Sequence, residues 1–256
     1  MPNLLEGKRT IILGLANRWS IAAGIAESFR REGAELILTY QSDRQLKAVE
    51  DLAQELGAAQ LLQCDVTKAE EVTKLVETLA ADGKPLDAVV HSIAFANRED
   101  LSRPFLETSR DGFLLAHEVS VYSLVAVSRA LVPLMSEGGS IMTLSYLGAV
   151  RSIPHYNVMG VAKAALESTV RYLAADLGEK AIRVNAISAG PIKTASARAI
   201  GDLTALLDHV ARRSPLRRNT TQDEVGDTAA FLASDLSRGV TGNVIYVDSG
   251  YQIIGI

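Results

Sequence analysis

The stretch RTIILGLANRWSIAAGIAESFRREGAELILTY, residues 9–40, decides the fold. A short apolar run, RTIILG, gives way to a polar loop, then to the Ala-rich segment SIAAGIAESFRREG, then to a second short run, ELILTY. Runs of this length that are apolar on both faces read as strands buried in a parallel sheet, and the longer segment between them reads as the crossover helix. Gly14, Ser20 and Gly24 stand where a dinucleotide-binding turn enters a helix, with free backbone N–H groups suited to pyrophosphate. The usual G-x-G-x-x-G spacing is absent. Ser20 as a simple helix cap and Gly24 as a site of close helix packing account for the same letters.

The alternation continues outward. DRQLKAVEDLAQELG, AQLLQCDV and KAEEVTKLVETLAADG extend it to βαβαβα, and DAVVHSIA, SIMTLSY, IRVNAIS and NVIYVD bring the candidate strands to seven. This predicts an α/β fold: a Rossmann-type, doubly wound, mostly parallel sheet flanked by helices. No linker, repeat or charge block divides the chain, so residues 1–256 read as one NAD(P)-binding domain. The mixed stretch at about 190–220 interrupts the alternation after the sixth strand, at the end where open parallel sheets bind ligands, and is expected to be a substrate-binding lid.

Composition excludes several classes. With 48% hydrophobic and 22% charged residues the chain is ordinarily globular, and a net charge of −4 gives no general attraction to nucleic acid or anionic lipid. The single Cys64 cannot close an intrachain disulfide, and His91, His117, His155 and His209 show no metal-ligand spacing, so no metal site is expected. A reducing cytoplasm fits. Lys8 and Arg9 before TIILGLA imitate a signal peptide, but ANRWS follows where a cleavage site belongs, so the run reads as the first strand. No uninterrupted apolar run approaches the roughly 18 residues that span a bilayer, so membrane insertion is not expected.

Chemistry gathers in YNVMGVAK, residues 156–163. Seven residues at about 100° each bring Tyr156 and Lys163 to one helix face, about 10.5 Å apart along the axis. There a protonated phenol and a flexible ammonium can share one ligand. Ala162, Ala164, Ala165, Leu166 and Glu167 favour helix, and no proline interrupts residues 156–178. After the second strand stand Tyr40 and Gln41 in place of an acidic ribose ligand. Neutral Gln41 can bond hydroxyls without repelling a 2′-phosphate, and Arg44 is close enough in sequence to attract one. CDV ends the third strand, where Asp65 either accepts a hydrogen bond from adenine or caps the next helix. HSIAFA ends the fourth, where small residues let a ligand approach Ile93, and His91 reads as a satisfied structural histidine.

Taken in order, GLANRWSIAAGIA, CDV, HSIAFA, LSYLGA, YNVMGVAK and RVNAISAGPIKT closely resemble the FabI-type enoyl-acyl-carrier-protein reductases, a divergent short-chain dehydrogenase/reductase group, over nearly the whole chain. The resemblance implies hydride transfer from NADH, or NADPH, to Cβ of trans-2-enoyl thioesters, the last reductive step of type II fatty acid elongation. By resemblance Tyr156 binds the thioester carbonyl and stabilises the developing enolate, Lys163 holds the nicotinamide ribose, and Tyr146 is the second active-site tyrosine. Gly14, Ser20, Ile21, Gln41, Asp65, Val66, Ile93, Lys163, Ile192 and Thr194 fall on nucleotide-contact positions, and Ala96, with both tyrosines, beside the substrate. Ordinary short-chain dehydrogenases have a catalytic Asn at about Ser120 and a catalytic Ser at Thr143. That leaves a carbonyl or alcohol oxidoreductase as the runner-up, with a non-catalytic nucleotide-binding protein as the alternative of another class.

The family's partner is enoyl-acyl carrier protein. The helix that carries basic docking residues in relatives has Gly201, Thr204 and Ala205 here, while Arg198, Arg212, Arg213, Arg217 and Arg218 are replacement charges or a solvated helix end. The C-terminal GNVIYVDSGYQIIGI stays apolar to its last residue. It is expected to be buried against another subunit in a homotetramer of the family's type, with an ordinary edge strand as the alternative.

Overall fold

The computed structural model describes residues 3–194 and 203–255. Its centre is one seven-stranded sheet: β1 (Arg9–Leu13), β2 (Glu35–Tyr40), β3 (Gln60–Gln63), β4 (Leu86–His91), β5 (Met135–Ser145), β6 (Arg183–Ala189) and β7 (Val244–Val247), in the order β3-β2-β1-β4-β5-β6-β7. Every neighbouring pair is parallel, so each carboxyl end opens on the same edge. The order reverses between β1 and β4, the switch point where such sheets bind ligands.

Alternation along β1 sorts the two layers. Ile12 packs into a core with α1 (Ile21–Arg31), α2 (Asp43–Glu55) and α9 (Gln222–Ala233), while Ile11 and Leu13 face α3 (Ala69–Ala81), α6 (Ser123–Leu131) and α7 (Asn157–Leu177). The remaining helices are α4 (Arg98–Ser102), α5 (Arg110–His117) and α8 (Leu203–Arg213).

Gly24 is a packing residue, as the plainer reading had it. A Cβ there would lie 2.6 Å from that of Gln222, and one at Gly226 would lie 2.5 Å from the Gly24 carbonyl oxygen, so α1 and α9 touch backbone to backbone. Gln222 Nε2 completes the contact by donating to the Ser20 carbonyl at 2.6 Å.

Some expectations shift. The third strand stops at Gln63, leaving Cys64, Asp65 and Val66 in the connection beyond it. The fifth begins at Met135 and is irregular: Leu86 pairs with Met135, then Ala88 with Ser140. The helical run Arg110–Leu134, 25 residues long, is apolar enough on average to cross a membrane by length and composition, although charged residues such as Asp111, Glu118 and Arg129 interrupt it. Its apolarity has a core explanation, because Leu124, Val127 and Leu131 are buried beneath the sheet.

Candidate active site

Over the carboxyl edge lies a cavity of about 560 Å³ whose wall runs from Gln41 and Asp65, past Gly14 and the start of α1, to Tyr156 and Lys163. Ser20, Ile21, Val66, Ile93, Tyr146, Ile192 and Thr194 also line it. Ala96 does not; it packs behind the wall against the cluster of Leu101, Ala116, Tyr156 and Met159.

The first turn is shaped by a close approach. Gly14 has φ of +92°, and a Cβ there would lie 2.3 Å from the Ser92 carbonyl oxygen, so the β1 and β4 connections can meet only through glycine. Ser20 caps α1, accepting from Ala23 N at 3.2 Å. Ile21 and Ala22, as the first two helical residues, have N–H groups without intrahelical acceptors. The Ser20 cap and the free N–H groups therefore belong to one turn.

At the other end of the wall, Gln41 Nε2 donates to Asp65 Oδ2 at 3.1 Å. Asp65 does not cap α3, whose N-cap is Lys68; its other oxygen accepts from Thr67 N at 3.0 Å and Thr67 Oγ1 at 2.8 Å. Burial works against this carboxylate, but the bonds from Thr67 and Gln41 and the charge of Lys68 outweigh it and hold its pKa below the usual range. Arg44 is exposed and outside the cavity wall, whereas Gln45 belongs to it.

Tyr156 occupies the N-cap position of α7, between two residues in the left-handed region, His155 (φ 61°) and Asn157 (φ 40°). Asn157 is anchored: its side-chain amide donates to the carbonyls of Asp100, Leu101 and Arg103, the last at 2.7 Å. The Tyr146 and Tyr156 rings meet edge to face with centroids 4.9 Å apart. Burial pushes the Tyr146 phenol up to about 12 and Tyr156 further still, with Tyr146 adding to the effect. Both are neutral hydrogen-bond donors throughout the physiological range. Lys163, 5% exposed, donates to the Leu144 carbonyl at 2.6 Å; burial lowers its pKa to about 8, against the opposing pull of Glu167.

His91 is structural, as expected. Its Nδ1 lies 3.0 Å from Thr143 Oγ1 and its Nε2 2.8 Å from Ser123 Oγ, and complete burial lowers its pKa to about 3. Ser123 gives its hydrogen to the Val119 carbonyl at 2.6 Å and Thr143 gives its own to the His91 carbonyl at 3.1 Å, so both hydroxyls that flank the ring are also tied to backbone. This arrangement removes Thr143, which is 1% exposed and absent from the cavity wall, from the position a carbonyl reductase requires. Ser120 sits in a π-helical turn, Glu118–Tyr122, where its hydroxyl accepts from Phe95 N at 3.0 Å.

Sequence reading missed the apolar walls: Phe95, Leu115 and Val119, with Leu203 and Leu206 of α8. It also missed Ser145. Arg198 and Gly201 lie outside the described residues. Arg218 is paired with Glu224, at 2.8 Å through Nη1, and Arg217 donates to the Arg212 carbonyl, whereas among the described residues Arg212 and Arg213 form no ion pair.

A seven-stranded parallel sheet in this order, with a tyrosine and a lysine over its carboxyl edge, has the architecture of the short-chain dehydrogenase/reductases. The chain belongs to the enoyl-(acyl carrier protein) reductase family, whose model matches residues 14–252. It is 55% identical over 254 residues to the NADH-dependent FabI of Bacillus cereus, covering 98% of this chain and 99% of the relative. It is 52% identical to the NADPH-dependent FabI of Staphylococcus aureus, covering 98% of each. Among solved structures, the Bacillus cereus reductase with NADP+ and an indole naphthyridinone superposes with a TM-score of 0.97 at 54% identity, covering 99% of this chain and 100% of that one. The Anaplasma phagocytophilum reductase with NAD gives 0.96 at 47% identity, covering 100% and 98%.

Proposed function

We propose that the protein reduces the trans-2 double bond of enoyl thioesters borne on acyl carrier protein, using NADH or NADPH, as the last reductive step of type II fatty acid elongation. The observation that carries this reading is the convergence of two neutral phenols and one buried ammonium on a single cavity beside a helix N-terminus. The donor set suits a nicotinamide dinucleotide: Gln41, Asp65 and Val66 for the adenosine end, Gly14, Ser20 and Ile21 for the pyrophosphate, and Ile93, Lys163, Ile192 and Thr194 for the nicotinamide half. That cofactor supplies the hydride.

Tyr156 donates a hydrogen bond to the thioester oxygen as negative charge develops there, an interaction stronger in the transition state than in the ground state. Tyr146 orients the Tyr156 ring and offers a second donor. Lys163 contributes positive charge and ribose contacts. The apolar walls at Phe95, Leu115, Val119, Leu203 and Leu206 receive the acyl chain and exclude water. The stretch 190–220, of which 195–202 lie outside the described residues, serves as the substrate lid of a single catalytic domain, a reading supported by Leu203 and Leu206 of α8 in the wall.

The enzyme works as a homotetramer in the cytoplasm. Supporting the assembly, Phe113, Leu114 and Tyr122 on the long helical run, Val161 and Tyr172 on α7, and Ile253 near the C-terminus are exposed. Supporting the compartment, the lone Cys64 is buried and burial pushes its thiol up to about 12, so folding needs no oxidation. The deciding experiment follows nicotinamide oxidation with a trans-2-enoyl thioester and, separately, a 3-ketoacyl thioester. Consumption of the first alone is expected; faster reduction of the second overturns the reading.

A further inference from the structure

Glu167 lies one helical turn beyond Lys163 on α7 and is only 7% exposed. It accepts the hydroxyl hydrogen of Ser145 at 2.5 Å. Ser145 lines the cavity, and the residue before it, Leu144, gives its carbonyl to Lys163 Nζ at 2.6 Å. Consecutive residues at the end of β5 therefore engage successive turns of α7, one through a cation and one through a carboxylate, both shut off from water. Helix packing does not require them, because Leu166, Val170 and Ala174 already seat α7 in the core. Ser145 has one hydrogen, and Glu167 takes it, so the hydroxyl presents its lone pairs to the cavity.

We propose, building on the reading of Lys163 as a working cation, that Glu167 is a positioning residue: it turns an acceptor of Ser145 toward the cavity and holds Lys163 charged against the end of β5. The neighbouring groups leave this task to it. Lys163 shares the cavity wall with Tyr156 and Tyr146 and its charge reaches His91 of β4, but the phenols and the imidazole are neutral in the physiological range. Glu167 in turn faces Arg171 on its own helix and Tyr246 from β7. Burial raises its pKa, while Ser145, Arg171 and Lys163 all favour its ionised form. Of these groups Glu167 alone opposes the loss of charge that burial imposes on Lys163.

Glu167→Gln tests the charge while keeping an oxygen for Ser145. In ligand-free protein carrying carbon-13 lysine, with the Lys163 signal identified by its loss in Lys163→Met, the titration midpoint should fall by about one pH unit, the lower end of what a close opposite charge exerts. The alkaline limb of kcat/KM for an enoyl thioester should move down with it, since a lysine losing its counter-charge gives up its proton at lower pH. Glu167→Asp, which keeps the charge, should leave both near the wild-type position. A Lys163 signal and an alkaline limb that stay in place in Glu167→Gln overturn the proposal, as does an Asp variant that falls as far as the Gln variant. If the limb instead persists in Lys163→Met, the assignment of Lys163 itself fails.

Discussion

The rings of Tyr146 and Tyr156 cross at 69° with their centroids 4.9 Å apart, so the two phenols are one packed unit at one end of the cavity. Tyr156→Phe is expected to lower kcat more than it raises KM, because the lost bond strengthens as charge develops. Removing one such donor costs about 2.7–4 kcal/mol where nothing replaces it. With Tyr146 adjacent, the double mutant should lose less than the sum of the single losses; strict additivity in steady-state kinetics would show independent roles.

Gly148 is the floor beneath Tyr156. A Cβ at 148 would lie 2.4 Å from Cδ1 of that ring and 3.4 Å from Cδ1 of Tyr146. Gly148→Ala should displace the phenol while leaving the dinucleotide end intact. A misplacement of about 1 Å can cost roughly 100-fold in turnover. Measured cofactor affinity should stay close to wild type; full activity in a folded variant would show that the ring is not held where the chemistry needs it.

Lys163 is expected to trade stability for function. Its pKa falls from an ordinary 10.5 to about 8 on folding, a drop of about 2.5 units, which at about 1.36 kcal/mol per unit is on the order of 3 kcal/mol of destabilisation at neutral pH. A folded pKa below the unfolded one means that the folded state binds fewer protons, so this penalty is full below about pH 8 and fades as pH rises toward 10.5. Lys163→Met should therefore raise the ligand-free unfolding free energy at neutral pH, less so at alkaline pH, while losing turnover and cofactor affinity. Denaturant titration at both pH values checks it.

Cofactor choice turns on one end of the wall. Gln41 and Asp65, the residues proposed to meet the adenosine ribose, are joined there by a 3.1 Å bond, while exposed Arg44 stands just outside. NADH should be used at least as well as NADPH. Arg44→Ala should raise KM for NADPH by about two- to fivefold, the scale of an exposed ion pair, and leave KM for NADH unchanged. Trp19, the lone tryptophan, is exposed on the adjacent loop and should report binding through its fluorescence.

For the carrier protein the structure redirects attention along the arginine cluster. Glu224 holds Arg218 and the Arg212 carbonyl engages Arg217, whereas the side chains of Arg212 and Arg213, on the helix that supplies Leu203 and Leu206, are exposed and form no ion pair among the described residues, which suits them to an acidic partner. Reversing both to Glu should raise KM for carrier-bound substrate several-fold and make it less salt-dependent, with little change for the coenzyme A thioester. Equal effects on the two substrates would mean a structural role.

The strands were legible because burial on both faces writes itself as unbroken apolar runs, and the polar cavity residues because they sit at the ends of those runs. Gly14 and Ser20 were doubly legible, since the conformation that admits a phosphate is the one that needs a glycine and a cap. The acyl-side wall was not. Leu115, Val119, Leu203 and Leu206 are apolar helix residues, and nothing in a periodic pattern separates one that faces a cavity from one that faces core. Asp65 shows the same limit on a smaller scale: its position before a helix suggested a cap, but the helix begins at Ala69 and the carboxylate turns back onto Thr67. Thr143 could be excluded only in three dimensions, once its hydroxyl was found against His91.

The bond from Gln222 to the Ser20 carbonyl joins residues 202 apart in the chain. The turn proposed to cradle pyrophosphate is translated long before the helix that braces it. Until α9 has left the ribosome, the Gly24 flank of α1 has no partner, and the half-built sheet presents apolar surface to whatever chaperone is near. Dinucleotide in the cell should consequently favour finished chains over nascent ones, drawing the completed protein toward its native state as it is released.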